Sequence, residues 1–238
     1  MLGNIFKILA IFIIGMVGGI FADQIFWPYF VERPLFYQYR LEKNPIYLTE
    51  RKEIYIQENI ALKNAIDKVE KVVIGVKTIK KDGKILEGSG LILTSDGLII
   101  TLADLVPQGS TFSFLVDGEL VPFQILKRDL KENLALVKIE KTNLSTASFA
   151  NLEKLKFGER VFLVGMIFES EKVKKIVNEG IIKSFDDSLI ETNIFEKNNL
   201  TGSPLFDIEG NILGLNTIDK EGKVITIPIS KIKTFAGF

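Results

Sequence analysis

From Val72 to the end of the chain, short apolar or alternating runs recur at intervals of about 8 to 12 residues. Turn signals separate these runs, and three of them are the Asp-Gly pairs Asp82-Gly83, Asp96-Gly97 and Asp117-Gly118. Such pairs favour tight hairpins because glycine readily takes the positive φ that these turns need. About a dozen predicted strands in roughly 165 residues, with little helix among them, indicate an all-β barrel or sandwich. The pattern divides into two halves near residues 146–153.

Composition excludes several kinds of chemistry. The 238 residues include no histidine and no cysteine. Ser-His-Asp and Cys-His catalysis are therefore excluded for this chain acting alone, and no metal site and no cofactor are predicted. Thirty Lys and Arg balance thirty Asp and Glu, so no basic field favours nucleic acid, and no nucleic-acid partner is predicted.

The N-terminal segment differs from the rest of the sequence. Residues 2–22 contain one charged side chain, Lys7, and are long enough, at about 20 residues, to span a bilayer as a helix. The aromatic residues that follow suit a membrane interface: Phe26, Trp27, Tyr29 and Phe30. The alternatives are a cleavable signal peptide and a buried helix, but Ile20 is a poor residue for cleavage after Ala22. We predict a single transmembrane anchor over residues 1–30, in the cytoplasmic membrane, with the β domain on the extracytoplasmic side.

Two segments lie between the anchor and the first strand. Residues 31–56 are predicted to be a connector, because Pro34 and Pro45 interrupt them and mixed charges keep them solvated. Residues 58–71 then show the spacing of a short amphipathic helix whose apolar face holds Leu62, Ala65, Ile66 and Val69. The folded domain is accordingly predicted over residues 57–238.

Within this domain several motifs follow one another in order. They cover residues 87–93, 96–101, 133–139, 157–161, 180–182, 190–193, 201–205, 210–217 and 225–228. Their order and spacing, over roughly residues 60–235, resemble the trypsin-like serine peptidases, especially the HtrA/Deg type of bacterial envelope protease. The resemblance implies two antiparallel β-barrels with a cleft between them, the first at about 70–147 and the second at about 152–236. That family often carries a PDZ domain after the peptidase domain, and the sequence to Phe238 leaves no room for one.

The resemblance also assigns positions to the catalytic machinery, and this chain departs from the family at each of them. The positions of the catalytic His, Asp and Ser hold Asp104, Asn133 and Thr201. The oxyanion hole is assigned to Asn199, which replaces a glycine, together with Thr201. The floor of the specificity pocket is assigned to Phe195, which either plugs the pocket or belongs to the core of the second barrel.

These replacements set the functional expectation. A carboxylate such as Asp104 needs its pKa raised by burial before it can deprotonate a hydroxyl near neutral pH, and Asn133 supplies no charge to stabilise the protonated base. We therefore predict a degenerate, non-catalytic peptidase homologue that binds or scaffolds in the cell envelope, capturing an extended peptide or an envelope protein by strand addition.

Two other functions stay open at this point. One is residual or unconventional endopeptidase activity that uses Thr201, with Asp104 or Lys197 as the base. The other is a folded spacer that binds nothing in its cleft. The sequence also leaves a homo-oligomer open.

Overall fold

The computed structural model describes residues 2–32, 60–169 and 172–238. These residues belong to two compact units, residues 1–56 and 57–238. The predicted connector, apart from its first two residues, lies outside the described residues.

The first unit contains one apolar helix. Helix α1 spans Leu2–Phe21, and the chain continues in wider π-helical turns over Ala22–Glu32. Its large apolar side chains from Ile5 to Trp27 are exposed. Residues 3–27 are long and apolar enough to cross a membrane, a property that N-terminal signal sequences share. The segment is therefore a candidate membrane span or signal.

The second unit begins with helix α2, residues 60–69, which confirms the predicted amphipathic helix. Ala65 and Val69 are buried on its apolar face, with Leu62 and Ile66 packed against the same core. The helix is also tied to the turn at residues 207–211, where the Lys68 amine donates to the Glu209 carbonyl oxygen at 3.1 Å.

Seven antiparallel strands form the first sheet. They are β1 (Val73–Ile79), β2 (Ile85–Ile92), β3 (Leu98–Leu102), β4 (Thr111–Val116), β5 (Glu119–Val121), β6 (Phe123–Asp129) and β7 (Leu134–Ile139), in the order β5-β4-β1-β2-β3-β7-β6. The end strands β5 and β6 are separated in sequence by Pro122 alone, so the two ends of the sheet are joined there. The apolar run over residues 120–126 by itself predicts one strand, which is wrong, because proline has no N–H to continue a ladder.

The second sheet is a closed antiparallel barrel. Its strands are β8 (Arg160–Glu169), β9 (Lys172–Phe185), β10 (Ile190–Phe195), β11 (Pro204–Asp207), β12 (Ile212–Ile218) and β13 (Lys223–Pro228), in the order β10-β13-β12-β11-β8-β9. Helix α3, Ile229–Ala236, follows the last strand and buries Ile229 and Ile232. The all-β, double-barrel fold class predicted from the sequence is confirmed.

The two sheets share one apolar core. A large cluster combines strands of the first sheet and α2 with side chains of the second sheet such as Phe162, Phe206 and Leu215. A smaller cluster, which includes Leu163, Leu205 and Leu213, fills the second barrel. Because side chains of both sheets pack in one core, the two sheets are held in a fixed relative position at any cleft between them.

Candidate functional site

Asp104 lies on a short 3-10 helix, Ala103–Leu105, directly after β3. Ala103 and Leu105 on either side of it are buried, whereas Asp104 itself is exposed. The two buried side chains anchor the turn in the core, and the Asp104 carboxylate between them is held at the surface.

Asn133 precedes β7 and is joined to Asp104 by two hydrogen bonds. The Asp104 backbone N–H donates to Asn133 Oδ1 at 3.0 Å, and Asn133 Nδ2 donates to Asp104 Oδ2 at 3.0 Å. The backbone of Asn133 has φ = 54°, in the left-handed region that asparagine tolerates better than most residues. Pairing of Leu102 with Leu134 in the sheet brings these two turns together.

Thr201 follows a second 3-10 helix, Asn198–Leu200. Its carbonyl oxygen accepts a hydrogen bond from the Ser89 backbone N–H at 2.9 Å, which ties this loop to β2. Among the residues that the structure describes, no hydrogen-bond partner reaches the Thr201 hydroxyl. Within the described residues, the side chain that the resemblance places at the nucleophile is thus not hydrogen-bonded to a base.

Asp104, Asn199 and Thr201 line one cleft of about 490 Å³. The other lining residues are Lys84, Ile85, Leu86, Glu87 and Leu105. Asn133 is not among them and reaches the cleft only through its contact with Asp104. A separate cavity of about 550 Å³, lined by residues of the segments 149–160 and 207–213, contains none of the predicted site residues.

Phe195 lies at the surface of the second barrel, and its assignment to the specificity pocket stays a prediction. Its side chain is 63% exposed, so it is not a core residue of the second barrel, and it is not among the residues that line the cleft. Phe195 ends β10 opposite Lys223, after an irregularity in strand register that begins at Glu191. Its exposure follows the alternation along β10, in which Ile190, Thr192 and Ile194 are buried and the residues between them are not.

Buried polar contacts that the sequence analysis missed hold the Thr201 loop in place. Asn216 Nδ2 donates to the Ser203 hydroxyl at 3.1 Å, and the Thr226 hydroxyl donates to Asn216 Oδ1 at 2.6 Å. All three residues are fully buried. The Gly202 N–H also donates to the Asn216 carbonyl oxygen at 2.8 Å. Because each of these polar groups is satisfied, the network favours one conformation of the loop.

Gly88-Ser89-Gly90 forms the other side of this contact. This glycine-rich motif lies inside β2 and not at its start. A Cβ atom on Gly88 would lie 2.5 Å from the Thr201 carbonyl oxygen, so only glycine permits this approach of two backbones. The buried Ser89 hydroxyl accepts a hydrogen bond from the Met166 N–H of β8 at 2.8 Å. The motif therefore fastens β2 to both the Thr201 loop and the second barrel.

Comparison with known proteins decides the family. Residues 88–215, more than half of the chain, match the family described as the trypsin-like peptidase domain. The chain belongs to this family. The matched segment contains the positions of Asp104, Asn133, Asn199 and Thr201, and it runs from the glycine-rich part of β2 into β12.

Individual relatives point to one branch of this family. The chain is similar to a probable periplasmic serine endoprotease DegP-like of Chlamydia pneumoniae, at 31% identity over 43% of this chain and 22% of the relative. Serine protease HTRA1 of Xenopus laevis is 29% identical over 50% of this chain and 28% of its own length. The matches thus span less than a third of these relatives.

Solved structures show the same fold. A serine endoprotease from Yersinia pestis has a TM-score of 0.66 at 20% identity, covering 74% of this chain and 65% of that one. The HtrA-type protease AlgW with tripeptide has a TM-score of 0.65 at 22% identity, covering 74% of this chain and 62% of that one. The resemblance to HtrA-type trypsin-like peptidases, predicted from the motifs, is confirmed.

At the positions that the sequence resemblance assigns to the catalytic residues, the distribution of charge differs from that of a working triad. In a working triad a carboxylate stabilises a cationic imidazole, which in turn accepts the nucleophile's proton. Here the carboxylate is in the middle position, on Asp104, and its support is the neutral amide of Asn133. Asp104 can accept hydrogen bonds from a ligand in this arrangement. The neutral Asn133 amide adds no negative charge to support a protonated base.

Proposed function

We propose that this protein is a non-catalytic member of the HtrA-like peptidases that binds or scaffolds other polypeptides in the cell envelope. The observation that carries the proposal is the pair formed by the Asp104 carboxylate and the Asn133 amide at the edge of a cleft that also holds Thr201. The sequence resemblance assigns all three to the positions of a catalytic triad.

The exposure of Asp104 supports the loss of catalysis. A carboxylate becomes a useful base near neutral pH when burial disfavours its charged form. Asp104 is exposed and so does not have this burial, and its Oδ2 already accepts a hydrogen bond from Asn133 Nδ2. Thr201 also carries a methyl group that crowds attack by its hydroxyl. Each feature weakens a different step of nucleophilic catalysis.

The preserved cleft supports a binding role. Gly88, Gly202 and the buried contacts of Ser89 keep the two sheets in close approach at the Thr201 loop. The cleft that results is open and lined by both apolar and polar side chains. An extended polypeptide suits such a surface, because its backbone can add hydrogen bonds along an exposed strand while its side chains enter the cleft.

The N-terminal helix supports a location at the membrane. Helix α1 contains one charged side chain, Lys7, and its large apolar side chains are exposed. The relative from Chlamydia pneumoniae is described as periplasmic. We extend the proposal to a single-pass anchor in the cytoplasmic membrane that displays the β domain on the extracytoplasmic side.

Hydrolysis of fluorescent casein by the purified full chain in detergent tests the loss of catalysis. We expect no turnover above that of the Thr201→Ala variant, because no base among the described residues is hydrogen-bonded to this hydroxyl. Turnover that Thr201→Ala abolishes would instead establish the alternative, an unconventional endopeptidase that uses Thr201. The open cleft that Thr201 shares with Asp104 is the observation in favour of that alternative.

A further inference from the structure

The cleft contains oxygen acceptors that the fold leaves free. Asp104 Oδ2 accepts from Asn133 Nδ2, whereas no described residue donates to Asp104 Oδ1. Within the described part of the chain, the Asn199 side-chain oxygen and the Thr201 hydroxyl also receive no donor. Three residues around one cleft therefore offer acceptors to a bound molecule.

The charge of Asp104 is also unpaired within the described residues, since no Lys or Arg nitrogen of that set forms an ion pair with it. The other carboxylate of the cleft, Glu87, pairs with Lys77 at 3.4 Å. Lys84 lines the cleft as well but forms no ion pair with Asp104 in the described structure. Asp104 is thus the carboxylate of this cleft that an incoming cation can meet without displacing an internal partner.

Asp104 is held in one orientation before any ligand binds. Its backbone N–H and Oδ2 are both bonded to Asn133, and the buried Ala103 and Leu105 fix the turn on either side. A ligand that meets a fixed group loses less free energy to ordering the site. The carboxylate is therefore suited to directional recognition.

From these contacts we infer that the cleft recognises a basic side chain, with the guanidinium of an arginine residue in an extended polypeptide bonded to Asp104. This inference rests on the proposed binding function and names the chemistry of the partner. A guanidinium carries five N–H donors in a planar fork, which can meet Asp104 Oδ1 and the neighbouring oxygens of Asn199 or Thr201 together. Charge-assisted bonds of this kind are stronger than neutral ones.

Fluorescence anisotropy with two labelled peptides tests the inference. Both peptides are short, extended and alanine-rich, and they differ at one central residue, which is arginine in one and its neutral isostere citrulline in the other. The protein is the full chain in nanodiscs, as wild type, as Asp104→Asn and as Asp187→Asn. Asp187 is an exposed aspartate between β9 and β10 that does not line the cleft, so its variant is the matched control for charge.

We expect the arginine peptide to bind the wild type more tightly than the citrulline peptide does. The Asp104→Asn substitution should lower the affinity for the arginine peptide by about tenfold and abolish the difference in affinity between the two peptides. Asp187→Asn should change neither affinity. The comparison of peptides on the wild type needs no substitution, so it stands even where Asp104→Asn alters the fold.

Two other results contradict the inference and differ in what they say of the proposed function. Equal binding of both peptides, unaffected by Asp104→Asn, would overturn recognition of a basic side chain and leave peptide binding in place. Absence of binding by either peptide, and by a peptide array of varied composition, would overturn the binding function and this inference with it.

Discussion

At the scale of single residues, strand pairing brings the groups of the candidate site together. The ordered motifs led to Asp104, Asn133 and Thr201, and the structure brings the first two into hydrogen-bond contact and places Asp104 and Thr201 on one cleft. The contact between Asp104 and Asn133 needed the pairing of β3 with β7, which relates residues 29 positions apart. The exposure of Phe195 follows from period-2 alternation once β10 is placed, because Phe195 lies on the face opposite Ile190 and Ile194.

Asp96, in the turn between β2 and β3, provides a prediction for stability against pH. Hydrogen bonds from the Lys138 amine, at 2.6 Å, and then from the Thr94 hydroxyl lower the pKa of Asp96 to about 2. A lowered folded-state pKa stabilises the fold above the ordinary pKa of Asp, and this stabilisation is lost as pH falls from about 4 to about 2. We expect the melting temperature of the wild type to exceed that of Asp96→Asn near neutral pH, and the gap to close in acid.

The measurement is thermal unfolding of both proteins from about pH 6 to about pH 2.5 at low salt, because salt screens an exposed ion pair. Asp187→Asn is the control and should show no such closing gap. A gap between wild type and Asp96→Asn that stays constant through the acid range would show that the Lys138 and Thr94 contacts do not stabilise the ionised carboxylate.

At the scale of elements, the turn residues predicted most of the strands but not the contacts between the two sheets. The Asp-Gly pairs at residues 82–83, 96–97 and 117–118 do separate neighbouring strands, and their glycines have positive φ. Pro122 divided a run that apolar alternation alone had predicted as one strand. The packing of β2 on the Thr201 loop could not be predicted. It depends on the close approach of two backbones, and the glycines that permit this approach do not identify each other in the sequence.

Gly202 and Gly118 form a matched pair that tests this packing. Both have φ near +80°, at 81° and 82°, so alanine at either position pays the same left-handed strain of about 1–2 kcal/mol. A Cβ on Gly118 meets nothing within 4 Å, whereas a Cβ on Gly202 would lie 2.3 Å from the Ser89 carbonyl oxygen. We expect Gly202→Ala to lower the free energy of unfolding by about 3 kcal/mol more than Gly118→Ala does.

Urea unfolding of the full chain in detergent, followed by circular dichroism, provides this comparison. Failure of Gly202→Ala to fold, beside a folded Gly118→Ala, is the same result in its extreme form. Equal unfolding midpoints for the two variants would mean that β2 does not approach the Thr201 loop as closely as described.

At the scale of the whole molecule, the sequence predicted an architecture without determining an activity. Spacing of short strands indicated an all-β fold, the motif order indicated two barrels, and both follow from patterns that survive changes at single positions. Function depends instead on a few side chains whose chemistry can be lost while the core persists. Here the core and the glycine contacts are present, while the positions that the sequence resemblance assigns to the base, its charged support and the serine hydroxyl hold Asp104, Asn133 and Thr201.

Labelling with a fluorophosphonate tests whether the Thr201 hydroxyl is an activated nucleophile. The reagent bonds covalently to the activated hydroxyl of a serine-type peptidase. The full chain and its Thr201→Ala variant are incubated with the reagent, and intact-mass and peptide mass spectrometry locate any adduct. We expect no adduct on Thr201, since no base contacts its hydroxyl within the described structure. An adduct on Thr201 that Thr201→Ala removes would contradict this expectation and return the protein to the active peptidases.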